Sequence, residues 1–91
     1  MAYYIDYTDK AIAGLKRLRQ TDPKAFGKAR RLIEELMEHP KTGTGKPEQL
    51  KGSRSGQWSR RITAKHRLVY TINEETVVVL VLTAYGHYDD K

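Results

Sequence analysis

Two stripes of apolar residues at helical spacing, then two runs that alternate with a period of two and one run apolar throughout, make up most of this chain. Tyr3, Tyr4, Ile5 and Tyr7 form a short β-prone run and predict a first strand. Thr8 or Asp9 suits the cap of the helix that follows, in which Ala11, Ile12, Leu15 and Leu18 recur on one face. Thr21-Asp22-Pro23 reads as a stop and restart. Asp22 suits an N-cap, and Pro23 suits the first helical position, where a missing N–H costs nothing. The second helix is predicted to run to about Glu38, burying Phe26, Ala29, Ile33, Leu36 and Met37. Two amphipathic helices joined this tightly make an αα-hairpin that needs a flat surface to cover.

His39-Pro40 ends the helical pattern. The stretch KTGTGK, residues 41–46, is a loop whose glycines suggest a phosphate loop, but the Walker spacing is absent. Pro47-Glu48-Gln49-Leu50 predicts one helical turn with Leu50 inward, and residues 52–56 a further loop. From Trp58 the period becomes two. Trp58, Arg60 and Ile62 share one face, and Ser59, Arg61 and Thr63 the other. Thr63-Ala64-Lys65-His66 turns the chain. Arg67, Val69 and Thr71 then oppose Leu68, Tyr70 and Ile72. After a second turn at Asn73-Glu74-Glu75, the run Val77 to Leu82 is apolar on both faces, as a central strand covered on both sides should be. The predicted architecture is α+β, in the order β-α-α-β-β-β. An antiparallel-rich sheet carries the N-terminal αα-hairpin on one face, in a single domain spanning residues 1–91.

Composition changes the picture mainly through charge. The chain has 91 residues, no cysteine and a formal net charge of +6. The missing cysteines exclude a disulfide framework and a thiolate metal site. The N-terminus shows no signal-peptide pattern, and no apolar run is long enough to span a bilayer, so a soluble cytoplasmic protein is expected. Residues 39–67 carry eight Lys/Arg and one acid, Glu48, whereas residues 1–38 carry eight Lys/Arg and six acids. A local field of one sign attracts polyanions, which points to nucleic acid.

Candidate chemistry lies in that field. A strand arginine offers a phosphate two parallel hydrogen bonds and stabilises charge that builds up on it during cleavage. Alternation lets only one of Arg60 and Arg61 share a face with Arg67; the competing role for each arginine is pairing with Glu34, Glu35 or Asp90. Glu48 is placed either to take a proton from a ribose 2′-hydroxyl or to pair with Lys46 or Lys51. His87 follows the central strand beside Asp89 and Asp90, which favour its protonated form. Tyr88 is able to stack on a base or to pack in the ordinary way. His39 and His66 fall in turns, and no metal-ligand spacing occurs.

The runs G-K-P-E-x-L-K, S-G-x-W-S-R-R-I-T and H-R-L-V-Y, with a closing H-Y, resemble the YoeB/Txe branch of the RelE-type toxins of bacterial toxin–antitoxin systems. The resemblance implies a microbial-ribonuclease-like fold and ribosome-dependent cleavage of mRNA in the decoding site, with no cofactor or metal. It assigns Glu48 as general base, Arg67 as the group that holds and stabilises the phosphate, and His87 as general acid. Tyr88, Lys51 and Arg61 become supporting RNA contacts. As partners it implies a cognate antitoxin, the ribosome and its mRNA, a homodimer, and operator DNA only through the antitoxin complex, with no membrane contact. Two features depart from the pattern: Tyr85 stands where many relatives carry arginine, and Asp89-Asp90-Lys91 extends past the closing H-Y. Two other classes remain open. One is a non-catalytic basic module that binds RNA or the ribosome and blocks translation; the other is a module whose basic face receives an acidic protein segment.

Overall fold

The computed structural model describes residues 3–43, 45, 47–52 and 55–84, with side chains through residue 79. Strand β1 (Tyr4–Tyr7) leads into helices α1 (Asp9–Thr21) and α2 (Pro23–Leu36). Strands β2 (Glu48–Gln49), β3 (Trp58–Arg61), β4 (His66–Asn73) and β5 (Thr76–Ala84) follow. Both helices start where capping chemistry puts them. Thr8 Oγ1 accepts from the Ala11 N–H at 3.1 Å, and Asp22 Oδ1 from the Ala25 N–H at 3.2 Å. Asp22 also donates its own N–H to Leu18 O at 2.8 Å, so one residue closes α1 and opens α2.

The strands form one sheet in the order β1-β5-β4-β3-β2. Only the β1–β5 pair is parallel; the other three pairs are antiparallel. The helices cover one face. Ala11 and Leu18 of α1, and Ala25, Ala29, Leu32, Ile33 and Leu36 of α2, close over Leu68, Tyr70, Val77 and Val79. Strand β5 lies inside the sheet, as its apolar run predicts. A bulge between Val69 and Tyr70 inserts one extra residue into β5, pairing Val69 with Val81 and Tyr70 with Val79. That shift keeps both Val77 and Val79 in the core.

Three local expectations are corrected. Residues 47–50 do not form a helical turn. Glu48 and Gln49 pair with Ser59 and Trp58 as β2, because an extended segment beside β3 satisfies backbone groups that one isolated turn would leave open. Helix α2 ends at Leu36, two residues early, where the Glu38 and His39 N–H groups both turn back to Glu35 O. Met37 and Ile12, both expected inside, are 41% and 43% exposed.

Candidate active site

Residues paired across an antiparallel ladder project to the same side of the sheet. Glu48 of β2 pairs with Ser59 of β3, which pairs with Val69 of β4. Two residues along β3, Arg61 pairs with Arg67 of β4. These residues therefore share the face turned away from the helices, and of the two neighbouring arginines it is Arg61 that joins Arg67 there. With strands about 4.8 Å apart and a rise of about 3.4 Å per residue, Glu48 stands about 12 Å from Arg67 at the backbone, within reach of long side chains from both sides. Glu48 and Arg61 are exposed. Arg67 is half-buried, with its Nε shielded from solvent. Ser59 and Val69, between them, are fully buried and give this face a firm floor.

Strand β2 is anchored at both ends. The Arg61 N–H donates to Gly45 O at 2.8 Å, and the Leu50 N–H to Gln57 O at 2.9 Å. The carboxylate of Glu48 is thus carried on a segment tied to β3 before and after it.

Arg60 faces the other way, into the helix layer, and is fully buried. Its Nη1 donates to Glu35 Oε1 at 2.7 Å, and its Nε to Tyr70 Oη at 3.2 Å. Its Nη2 donates to Thr42 O at 2.6 Å and also to His39 O. The Tyr70 hydroxyl in turn donates to Pro40 O at 2.7 Å. Burial pushes the Tyr70 hydroxyl pKa up from its ordinary value, while the hydrogen bond and charge of Arg60 oppose that shift. Of the two roles open to Arg60, pairing with Glu35 is the one observed.

The glycines of the 39–45 segment now have a structural reason. A Cβ on Gly43 would stand 2.5 Å from Glu35 Oε1, and one on Gly45 would stand 2.8 Å from Arg61 O. Both residues also have positive φ, +116° and +84°. The loop that looked like a phosphate cradle is instead a close backbone approach to an internal ion pair. Sequence reasoning named Glu35 among the acids a strand arginine could pair with, but missed the wider assembly around Arg60. Its only signals were two glycines and an acid 25 residues from the arginine it meets.

Lys51 is exposed just beyond β2. His66 closes the β3–β4 turn, its Nδ1 3.0 Å from Thr63 Oγ1. Among the described residues no group of His, Cys, Asp and Glu could hold a metal ion, and no helix is long and apolar enough to cross a membrane. His87 and Tyr88 lie outside the described residues, as do Tyr85 and the Asp89-Asp90-Lys91 segment. An apolar groove lined by Tyr4, Tyr7, Ile12, Phe26 and Met37 lies at the β1 edge of the sheet, the edge opposite β2, and contains none of the sequence-predicted site residues.

A helix hairpin covers one face of a mostly antiparallel sheet, and two arginines and a carboxylate stand on the other, which makes this a small α+β protein with cationic side chains on its uncovered face. The model of the YoeB-like toxin of bacterial type II toxin–antitoxin systems matches residues 7–88, and the chain belongs to that family. It is 43% identical over 70 residues to the toxin YoeB of Synechocystis, covering 77% of this chain and 79% of that one. Among solved structures, the YoeB dimer of Staphylococcus aureus superimposes with a TM-score of 0.83 at 31% identity, covering 97% of this chain and 100% of that one. The YoeB–YefM complex of the same organism gives 0.80 at 30% identity, with the same coverage.

Proposed function

We propose that this toxin is a ribosome-dependent endoribonuclease that cleaves mRNA in the decoding site. The observation that carries the reading is the pairing of Arg61 with Arg67 on the face that also holds Glu48. Two arginines at paired positions on one face are suited to an RNA phosphate, whose oxygens accept from guanidinium N–H groups.

The acid, base and phosphate-holding groups of the reaction come from the chain, acting on mRNA held by the ribosome. Glu48 takes the proton of a ribose 2′-hydroxyl, whose oxygen attacks the adjacent phosphorus. Arg67, supported by Arg61 and Lys51, holds the phosphate and stabilises the charge that builds on its oxygens. The bond from phosphorus to the 5′ oxygen breaks, and His87 gives that oxygen a proton. The products are a 2′,3′-cyclic phosphate and a free 5′-hydroxyl. Tyr88 positions the RNA by stacking. Glu48 is exposed, and its contribution is placement beside a bound phosphate. We assign the activity to one domain spanning the chain, acting in the cytoplasm where ribosomes and mRNA are found. A cognate antitoxin neutralises it and carries any operator binding. The relatives solved as a YoeB dimer and as a YoeB–YefM complex support a homodimer and an antitoxin partner.

The test is to map RNA ends after mixing the protein with mRNA, with and without programmed ribosomes, using Glu48→Gln and His87→Ala as controls. New 5′-hydroxyl ends in the decoding site that need ribosomes and both residues are expected. Blocked translation with no new ends would replace the enzyme with a basic module that occludes the ribosome.

A further inference from the structure

Arg60 is a charged side chain with no solvent exposure, one position from the phosphate-facing Arg61 and on the opposite face of the sheet. Burying a guanidinium is costly unless its donors are satisfied. At least four of its five N–H donors are, and the acceptors come from three separate places. Glu35 lies on α2, Tyr70 on β4, and His39 O and Thr42 O on the segment between α2 and β2. Through the Tyr70 hydroxyl the network also reaches Pro40 O. Three residues of that segment, 39, 40 and 42, are therefore tied to one side chain or to its direct partner. Gly43 passes tightly over the Glu35 carboxylate, and Gly45 then bonds to the backbone of Arg61. Three residues later the chain reaches Glu48.

We propose that Arg60 is a positioning residue for catalysis: it clamps residues 39–42 to the sheet and so fixes where β2 presents Glu48 relative to Arg61 and Arg67. The inference rests on the ribonuclease reading above. Strand β2 has only two residues and sits at the edge of the sheet, so its ladder alone holds it weakly. A planar guanidinium with five donors in a fixed fork is suited to hold acceptors in several directions. A lysine ammonium keeps the charge but has three donors on a flexible stem and cannot span the same set.

The test is Arg60→Lys, assayed by steady-state cleavage of mRNA on programmed ribosomes in wild-type and Glu48→Ala backgrounds. The expected result is a fall in kcat of roughly 10–100-fold with KM changed little, because the phosphate-binding side chains are untouched and the base is misplaced. In the Glu48→Ala background, Arg60→Lys should cost almost nothing more, since there is no base left to misplace. A loss of folded protein would instead multiply in both backgrounds, and that result would overturn the inference. If Arg60→Lys does not fold, Tyr70→Phe removes the hydroxyl that joins Arg60 to Pro40 O, and the same cycle with Glu48→Ala is expected. Amide hydrogen exchange on the same variants separates the clamp from the enzyme reading. Faster exchange confined to residues 39–50 supports the clamp, and a uniform rise or none at all overturns it. A chain that cuts no RNA yet loosens only there would overturn the ribonuclease reading and leave the clamp standing.

Discussion

Arg61 and Arg67 are direct partners across the β3–β4 ladder, on the sheet face that the helices leave open. Like charges in that position weaken a sheet by roughly 0.2–1 kcal/mol. Replacing Arg61 with alanine should therefore stabilise the fold slightly while weakening RNA binding. The slope of log K against log salt should fall by about 0.7 for the lost single-strand phosphate contact. Denaturant unfolding and RNA titrations over a salt series check the two halves. A destabilised Arg61→Ala variant would mean that its charge serves a structural pairing.

Arg67 is half-buried on the same face, next to the β3–β4 turn, where a fixed guanidinium is worth more than one in water. Arg67→Ala is expected to slow cleavage by about 10²–10³-fold, the usual loss when one donor to a developing oxyanion is removed. Single-turnover cleavage on programmed ribosomes measures it. A rate within a few-fold of wild type would take Arg67 out of its assigned role.

Glu48 is exposed on a two-residue strand, and that strand is held by backbone bonds. Glu48→Gln should leave thermal stability nearly unchanged, as surface substitutions usually do, and cut the cleavage rate by ~10²–10⁴-fold. Paired melting and rate measurements separate the effects. A large drop in stability with a matching drop in rate would make Glu48 a structural residue.

Gly45 and Gly52 both have positive φ, +84° and +68°, but only Gly45 meets backbone where a Cβ would go. Alanine at Gly52 should cost about 1–2 kcal/mol from the left-handed conformation alone. Alanine at Gly45 should cost clearly more, because Arg61 O must move by several tenths of an ångström. Urea unfolding of both variants gives the comparison, and equal losses would show that the 45–61 approach relaxes freely.

Tyr70 gives the fold a pH dependence of known sign. Burial raises its pKa above the ordinary value of 10.0, so the folded chain holds the phenolic proton more tightly than the unfolded chain. This contribution to stability is fully present below about pH 9 and declines as pH rises through 10 toward the folded value. Tyr70→Phe removes the ionising group. The stability difference between wild type and Tyr70→Phe should accordingly shrink in alkaline solution, as unfolding curves from pH 8 to about 11 would register. A constant difference would mean that Tyr70 ionises equally in both states.

Much of the candidate site was legible in the sequence, for an elementary reason. A strand alternates with a period of two, so Arg60 and Arg61 had to part company, and Arg61 could join Arg67 once β3 and β4 paired. The helix caps at Thr8 and Asp22 were equally local, because a cap is made within four residues. Strand β2 was not legible. Two residues after a proline carry little preference of their own, and β2 is extended only because β3 lies beside it. Nor did the spacing of Gly43 and Gly45 disclose that each avoids a specific atom of a distant residue.

By itself, then, the sequence determined the two helices and the longer strands, which residues of a strand share a face, and the basic middle third, because propensity, periodicity and charge are properties of neighbours along the chain. Only the tertiary structure decided that Arg60 goes inside. That outcome required Glu35 on α2, Tyr70 on β4 and the carbonyls of His39 and Thr42 to meet at one guanidinium. A buried charge is stable only where several separate segments supply its partners together, and no local pattern in the chain encodes their meeting.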